Sequence, residues 1–306
     1  MRTFTDIQRR CKDAKQVIIV PHLHPDGDAL GAAFGLQAML QSTMTSHVKV
    51  VGEHSDTSRW MGSFERVVDS EWAQSVVIVV DTAKQELLIH PKAIEGNPVI
   101  LIDHHPVESV FYDQGIINES ATSTCEILAT LAERESLSLD PKTANLLLFG
   151  ILSDTTILQH PYTSKTTIKA IGYLMDEGAT YKVLVNQLTK REFKTTKALF
   201  QASEAIQVTE NGLAYWIIDY ATIKEHSFEF SDLFSILRSI EEASIIVLLV
   251  QLDDECVLHA QSDQYDLQKL LTPFGGGGHK FASKVRSASL TPLLQVIESL
   301  DQFLIK

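Results

Sequence analysis

Titratable side chains recur in this sequence where apolar runs give way to turns. His22, His24, Asp26 and Asp28 take alternate positions in PHLHPDGDAL, directly after VIIV. Asp81 follows VVIVV, Asp103, His104 and His105 follow VILI, and Asp154 lies in FGILSDTT. Taken singly, each has an ordinary role: Asp28 as a helix cap, Asp81 and Asp103 as turn starters, Asp154 at a helix end, the histidines as polar groups of a core. As a set they suggest other chemistry. Carboxylates brought together repel and raise one another's pKa, a state that bound cations relieve. Mixed carboxylate and imidazole donors suit Mn²⁺, Fe²⁺, Co²⁺ or Zn²⁺, whereas an all-oxygen set suits Mg²⁺ or Ca²⁺. Four aspartates balance two divalent ions, which points to a dinuclear centre. Such a centre bridges a water, lowers its pKa and clamps the oxygens of an in-line displacement at phosphorus.

The elements that must position these groups read as an α/β unit. Short β-branched runs at 17–20, 48–51, 75–81 and 99–103 alternate with helical segments, and strands apolar throughout belong in a mostly parallel sheet covered on both faces by helices. Ligands of such sheets sit beyond the carboxyl ends of the strands. Within PHLHPDGDAL, Pro25 should keep His24 extended, Gly27 permits a sharp turn, and Asp28 opens and caps the helix ALGAAFGLQAML. Residues 163–205 read as helices. From about residue 206 the pattern changes to hairpins around Asn211-Gly212 and Asp253-Asp254, marking a smaller α+β domain.

In order and separation, these segments resemble the motifs of the DHH phosphoesterases. HLHPDGDALGA is similar to their H-x-x-P-D-x-D-A-x-G motif, VVIVVDTA to the second, LIDHHPV to the Asp-His-His motif and GILSDTT to the fourth. NESATSTCEIL, 118–128, resembles a segment of the oligoribonuclease branch, and FGGGGHKFAS resembles the glycine-rich signature of the DHHA1 domain. The resemblance implies a DHH catalytic domain over 1–185, a helical linker over 186–205 and a DHHA1 substrate-binding domain over 206–306. It implies two divalent ions, Mn²⁺ foremost: His22, Asp26 and Asp81 hold one, Asp28, His104 and Asp154 the other, and Asp81 bridges. His105 is cast as a phosphate contact or proton donor to the leaving oxygen, and Asp103 as the group that orients imidazoles. His24 occupies a position the motif leaves free and could touch substrate phosphates.

Gly275, Gly276, Gly277 and Gly278, followed by His279 and Lys280, read as an anion-binding loop ahead of a helix. A backbone without Cβ atoms approaches a phosphate closely, and the two side chains add positive charge. The alternative is a flexible linker. The resemblance leads one to expect an arginine-bearing S-x-R-S segment before the glycines, where VLHAQSDQYDLQKLL has Ala260 and Ser262. Lys284 stands where a glycine is common, and Thr156 and Leu158 depart from a D-T-G-x-F pattern. Lys280, Lys284 or Arg286 could replace the missing arginine, although lysine lacks its bidentate fork.

A formal net charge of −13 argues against gripping long nucleic acid. Short oligonucleotides or small phosphorylated nucleotides are the expected partners. Cys11, Cys125 and Cys256 are far apart, odd in number and form no CxxC pair, which argues against a disulfide framework or thiolate zinc site. No apolar run approaches the ~20 residues of a membrane helix, and the first residues lack a secretory apolar stretch. A cytoplasmic location without a membrane partner is therefore expected. A homodimer is compatible with the sequence, but no heptad run specifies one. The expected activity is hydrolysis of very short oligoribonucleotides to mononucleotides, together with removal of phosphate from adenosine 3′,5′-bisphosphate, by a hydroxide activated at the dinuclear centre. Alternatives are hydrolysis of linear or cyclic dinucleotides or of polyphosphate, and a nucleotide-binding protein that keeps the scaffold without turnover.

Overall fold

The computed structural model describes residues 1–43, 47–52, 59–107 and 109–305, apart from the side chain of His279. The chain divides into two units, Met1–Leu188 and Thr189–Lys306. In the first, strands β1 (Gln16–Val20), β2 (His47–Val50), β3 (Val76–Val80), β4 (Val99–Asp103) and β5 (Gln114–Ile117) pair in the order β2-β1-β3-β4-β5. Every pair is parallel. Successive residues feed two cores: Val17, Ile19, Ile78, Val80, Ile100 and Ile102 enter one, and Ile18, Val20, Val77, Val79 and Leu101 the other. Burial on both faces is why these strands show no polar alternation. The fifth strand is half-buried and carries a glycine, too weak a pattern to be read from sequence.

Helices α1 (Phe4–Cys11), α2 (Gly27–Gln41), α3 (Asp69–Trp72), α4 (Thr124–Arg134), α5 (Pro141–Asp154), α6 (Lys165–Asp176) and α7 (Tyr181–Thr189) accompany this sheet. Close approach of α2, α4 and α5 depends on glycine. A Cβ at Gly31 would stand 2.6 Å from the carbonyl oxygen of Leu146, and one at Gly150 would stand 2.3 Å from Cys125 Sγ and 2.9 Å from Asp28 Oδ1.

The second unit comprises α8 (Phe193–Ser203), β6 (Gln207–Val208), β7 (Leu213–Asp219), α9 (Tyr220–His226), α10 (Phe230–Arg238), β8 (Ile245–Gln251), β9 (Cys256–Gln261), α11 (Leu267–Leu271), β10 (Gly277–His279), β11 (Ala282–Ser287) and α12 (Leu290–Leu304). Its mixed sheet runs β10-β11-β9-β8-β7-β6. Both hairpins read from sequence are present, with Gly212 at φ +91° in the first. Residues 193–203, within the stretch expected to be a helical connection, pack Ala198, Leu199 and Ala202 against the core of this unit. The glycine run does not precede a helix as expected. It passes into the β10–β11 hairpin, where Ser283 and Val285 are buried while Lys284 and Arg286 are exposed, the two-residue alternation of a strand.

Candidate metal centre

The sheet reverses its order of addition at β1 and β3, and the carboxyl ends of β1, β3 and β4 carry the polar groups singled out above. After β1, His22 forms a single bridge with Leu88, and its Nδ1 bonds the carbonyl of Leu23 at 2.8 Å. Its Nε2 lies 3.9 Å from Asp26 Oδ1 and 3.7 Å from Asp81 Oδ2. His24 is exposed and adopts φ +55°, left-handed rather than the extended geometry that the following proline suggested. The helix cap is also displaced by two residues from the one expected. Asp26 caps α2, accepting from the backbone N–H groups of Asp28 at 3.0 Å and Ala29 at 3.1 Å. Asp28 instead turns inward and is 0% exposed. Its Oδ2 accepts from Thr124 N at 2.7 Å and its Oδ1 from Cys125 N at 2.9 Å. These are the first N–H groups of α4, so the carboxylate sits at the positive end of a second helix.

Asp81 follows β3 at φ +62° and is 3% exposed. A left-handed non-glycine residue at such a position stores strain that the surrounding structure must hold. Its Oδ1 accepts from Thr124 Oγ1 at 3.1 Å and lies 3.5 Å from His104 Nε2, while its Oδ2 faces His22. The same His104 Nε2 is 3.4 Å from Asp154 Oδ2 at the end of α5. Immediately beyond, Thr156, Ile157 and Leu158 have φ of +48°, +55° and +67°, so the segment that departs from the family pattern is a tight left-handed turn. Asp103 ends β4, fully buried, and its Oδ1 accepts from both the backbone N–H and Nδ1 of His105, at 3.0 and 2.8 Å. Asp103 Oδ2 is buried without a hydrogen-bond partner among the described residues.

Three sets of donor atoms lie within 4.8 Å of one another: His22, Asp26 and Asp81; Asp28, His104 and Asp154; and Asp81, Asp103, His104 and His105. Burial, then mutual charge, pushes Asp81 and Asp154 well above the usual carboxylate range; burial likewise raises Asp28 against the counteracting charge of His104. Burial and the neighbouring His105 lower the pKa of His104 and favour its neutral form. Burial would also lower His105, but the hydrogen bond and charge of Asp103 outweigh it and the net shift is upward. The partners of Asp28, Asp81 and Asp154 are backbone amides, the Thr124 hydroxyl, the Cys125 thiol and imidazoles, with no lysine or arginine among the described residues. Carboxylates without built-in counter-charge, Asp28 and Asp81 buried and Asp154 half-buried, interleaved with imidazoles, fit divalent cations.

Thr124 was not singled out from sequence, although it lies within the NESATSTCEIL stretch. Its N–H reaches Asp28 and its hydroxyl reaches Asp81, linking both donor trios. The hydroxyl-rich run before an apolar helix was the available signal, since Ser123 is the N-cap of α4. In the second unit, Gly275 and Gly278 have φ of +74° and +142°. Lys280 is exposed and places Nζ 4.9 Å from the centre of the Phe281 ring. The expected contribution of the His279 side chain lies outside the described residues.

Residues 16–151 match the model of the DHH family, N-terminal domain. The chain is 28% identical to the probable bifunctional oligoribonuclease and PAP phosphatase NrnA of Streptococcus mutans, over 99% of this chain and 100% of that protein. It is also 28% identical to the bifunctional oligoribonuclease and PAP phosphatase NrnA of Bacillus subtilis, over 91% of each. Among solved structures, an exopolyphosphatase-related protein from Bacteroides fragilis shares the fold with a TM-score of 0.83 at 19% identity, covering 99% of this chain and 96% of that one.

Proposed function

We propose that this chain, whose residues 16–151 match the model of the DHH family, N-terminal domain, is a metal-dependent phosphoesterase that hydrolyses very short oligoribonucleotides to mononucleotides in the cytoplasm and removes the 3′-phosphate of adenosine 3′,5′-bisphosphate. The two full-length relatives named above support this choice of substrates. No helix among the described residues is long and apolar enough to cross a membrane.

His22, Asp26 and Asp81 would hold one divalent ion, Asp28, His104 and Asp154 a second, and Asp81 would serve both. The observation that carries this reading is the orientation of Asp81, whose Oδ2 faces His22 and whose Oδ1 faces His104. Mn²⁺ suits the mixed donor set. Bound there, such ions supply an activated water and stabilise charge that develops on phosphoryl oxygens. The protein's own part is positional. His22 is fixed through Nδ1 so that Nε2 is the donor atom. Asp103 binds Nδ1 of His105, which leaves Nε2 as the nitrogen to hydrogen-bond a phosphoryl or leaving oxygen. The glycine segment 275–278 and Lys280 would contact the phosphate-bearing end of the substrate.

Metal analysis of protein purified without chelator, paired with a dinucleotide assay in Mn²⁺, tests the proposal. Two ions per chain are expected in the parent, with turnover abolished in Asp28→Ala and His104→Ala. Full turnover in either variant would overturn the assignment.

A further inference from the structure

The second unit carries a guanidinium that its own fold leaves incompletely satisfied. Arg238, at the end of α10, donates from Nε and Nη2 to the same atom, Gln261 Oε1, at 3.2 and 2.7 Å. Its Cζ lies 5.6 Å from the centre of the Phe234 ring. Nη1 is buried and has no hydrogen-bond partner among the described residues. Guanidinium groups removed from water ordinarily meet a carboxylate, as Arg191 meets Asp232 in this same unit. Arg238 meets a neutral amide, with Asp263 acting on it as a neighbouring charge.

The sheet places further positive charge on the same face. Gln261 pairs across the ladder with Ala282, and His259, two residues away, pairs with Lys284. Lys284 and Arg286 share that face, Arg286 already ion-paired with Glu255, and Gly277 opposes Lys284 on the edge strand β10. His259 is held neutral, pushed down to about 4 by burial and by the charges of Lys284 and Arg286, and its ring packs against Phe230 of α10 at 5.4 Å. Small residues at 277 and 282 give this face a low floor, and α10 supplies Arg238 and Phe230 above β9. In a chain of net charge −13, a guanidinium with one unsatisfied buried donor, on a sheet face that also carries Lys284, suits an anion.

We propose that Arg238, presented by Gln261, binds the terminal phosphate of the nucleotide substrate and supplies from α10 the guanidinium that β9 lacks at Ala260 and Ser262. This deepens the phosphoesterase reading and rests on it for the identity of the ligand. The test is calorimetric titration of the full chain with adenosine 5′-monophosphate in chelator, where the metal centre contributes nothing, alongside KM and kcat for a dinucleotide in Mn²⁺. Arg238→Gln is expected to weaken nucleotide binding about ten- to hundredfold, the range of a charge-assisted hydrogen bond, and to raise KM by a similar factor. Gln261→Glu leaves Arg238 in place but gives it a carboxylate; binding should fall at least about tenfold while the melting temperature holds or rises. Arg238→Lys should recover part of the loss. Unchanged nucleotide affinity in Gln261→Glu and Arg238→Gln, with the fold intact by circular dichroism, would overturn the proposal. Nucleotide binding that depends on Arg238 in a parent without turnover would overturn the enzyme reading and leave this site standing.

Discussion

Replacing Asp81 by asparagine should stabilise the metal-free protein and destroy its response to metal. Asp81 is buried, and one of its oxygens lies within 4.8 Å of donor atoms from His22 and Asp26. Two ionised carboxylates at that separation, in an effective dielectric near 20, repel by about 3–4 kcal/mol. Burial first, and then the charges of Asp28, Asp26, Asp154 and Asp103, push Asp81 well above its ordinary value of 3.8. The sign follows from linkage. The folded protein holds this proton more tightly than the unfolded chain, so the associated stability is present below the ordinary value and is lost as pH rises through the raised one. Asparagine removes that loss at little structural cost: it tolerates φ +62° at least as well as aspartate, and its oxygen can still accept from Thr124 Oγ1. In chelator at pH 8, Asp81→Asn should melt about 6–12 °C above the parent, taking a gain of about 3 kcal/mol and about 2–4 °C per kcal/mol for a unit of this size. The difference should vanish in acid. In Mn²⁺ the order should reverse, because the parent gains about 2.7 kcal/mol per site at a hundredfold excess over Kd while the variant gains little. A variant less stable than the parent in chelator, or equally stabilised by Mn²⁺, would refute the claim that these carboxylates await cations.

Gly150→Ala places a Cβ against Cys125 Sγ and Asp28 Oδ1; overpacking should cost about 1–3 kcal/mol in chemical denaturation and weaken Mn²⁺ binding. Gly172→Ala, which meets nothing within 4 Å on α6, is the control and should gain up to about 1 kcal/mol. Thr124→Val keeps volume but removes the hydroxyl that bonds Asp81, and Mn²⁺ affinity by calorimetry should drop about tenfold. Asp103→Asn removes the hydrogen bond and charge that raise His105 over the opposing effect of burial. The alkaline limb of kcat/KM should therefore move to lower pH, whereas an unmoved limb would exclude protonated His105 from the rate.

Four strands of the first sheet were legible from their short apolar runs, the half-buried β5 being the exception, and most donor positions drew notice because they follow such runs, while Asp154 ends a helix. What was not legible depended on contacts distant in sequence. Asp28 reads as a cap from its neighbours alone, but the amides of Thr124 and Cys125 draw it inward and Asp26 takes the cap. His24 leaves the extended region despite Pro25, since a preceding-residue preference is weak against the geometry that holds His22 and Asp26 in place. The strand after the glycines was visible as alternation through Ser283, Lys284, Val285 and Arg286, and was missed because the glycine run suggested a loop ahead of a helix. Arg238 had no sequence signal: an arginine ending an amphipathic helix is ordinary, and only the partner it finds on β9 distinguishes it.

The distribution of donors has a further consequence for how such a site can exist before cations arrive. Its carboxylates come from the turn before α2, from α2, from the end of β3 and from the end of α5, elements fixed by the apolar cores and by glycine contacts between helices. A repulsive cluster held this way cannot relax without disturbing packing shared by the whole unit. The protein meets the repulsion partly with donors that carry no charge, the α4 amides and the Thr124 hydroxyl, which satisfy one lone pair of an oxygen and leave others exposed to the site. A lysine in their place would neutralise the cluster and would also compete with a divalent ion. The preference for neutral donors thus preserves a net negative centre on a rigid frame, the condition under which cations bind strongly and the geometry at phosphorus is set by the fold.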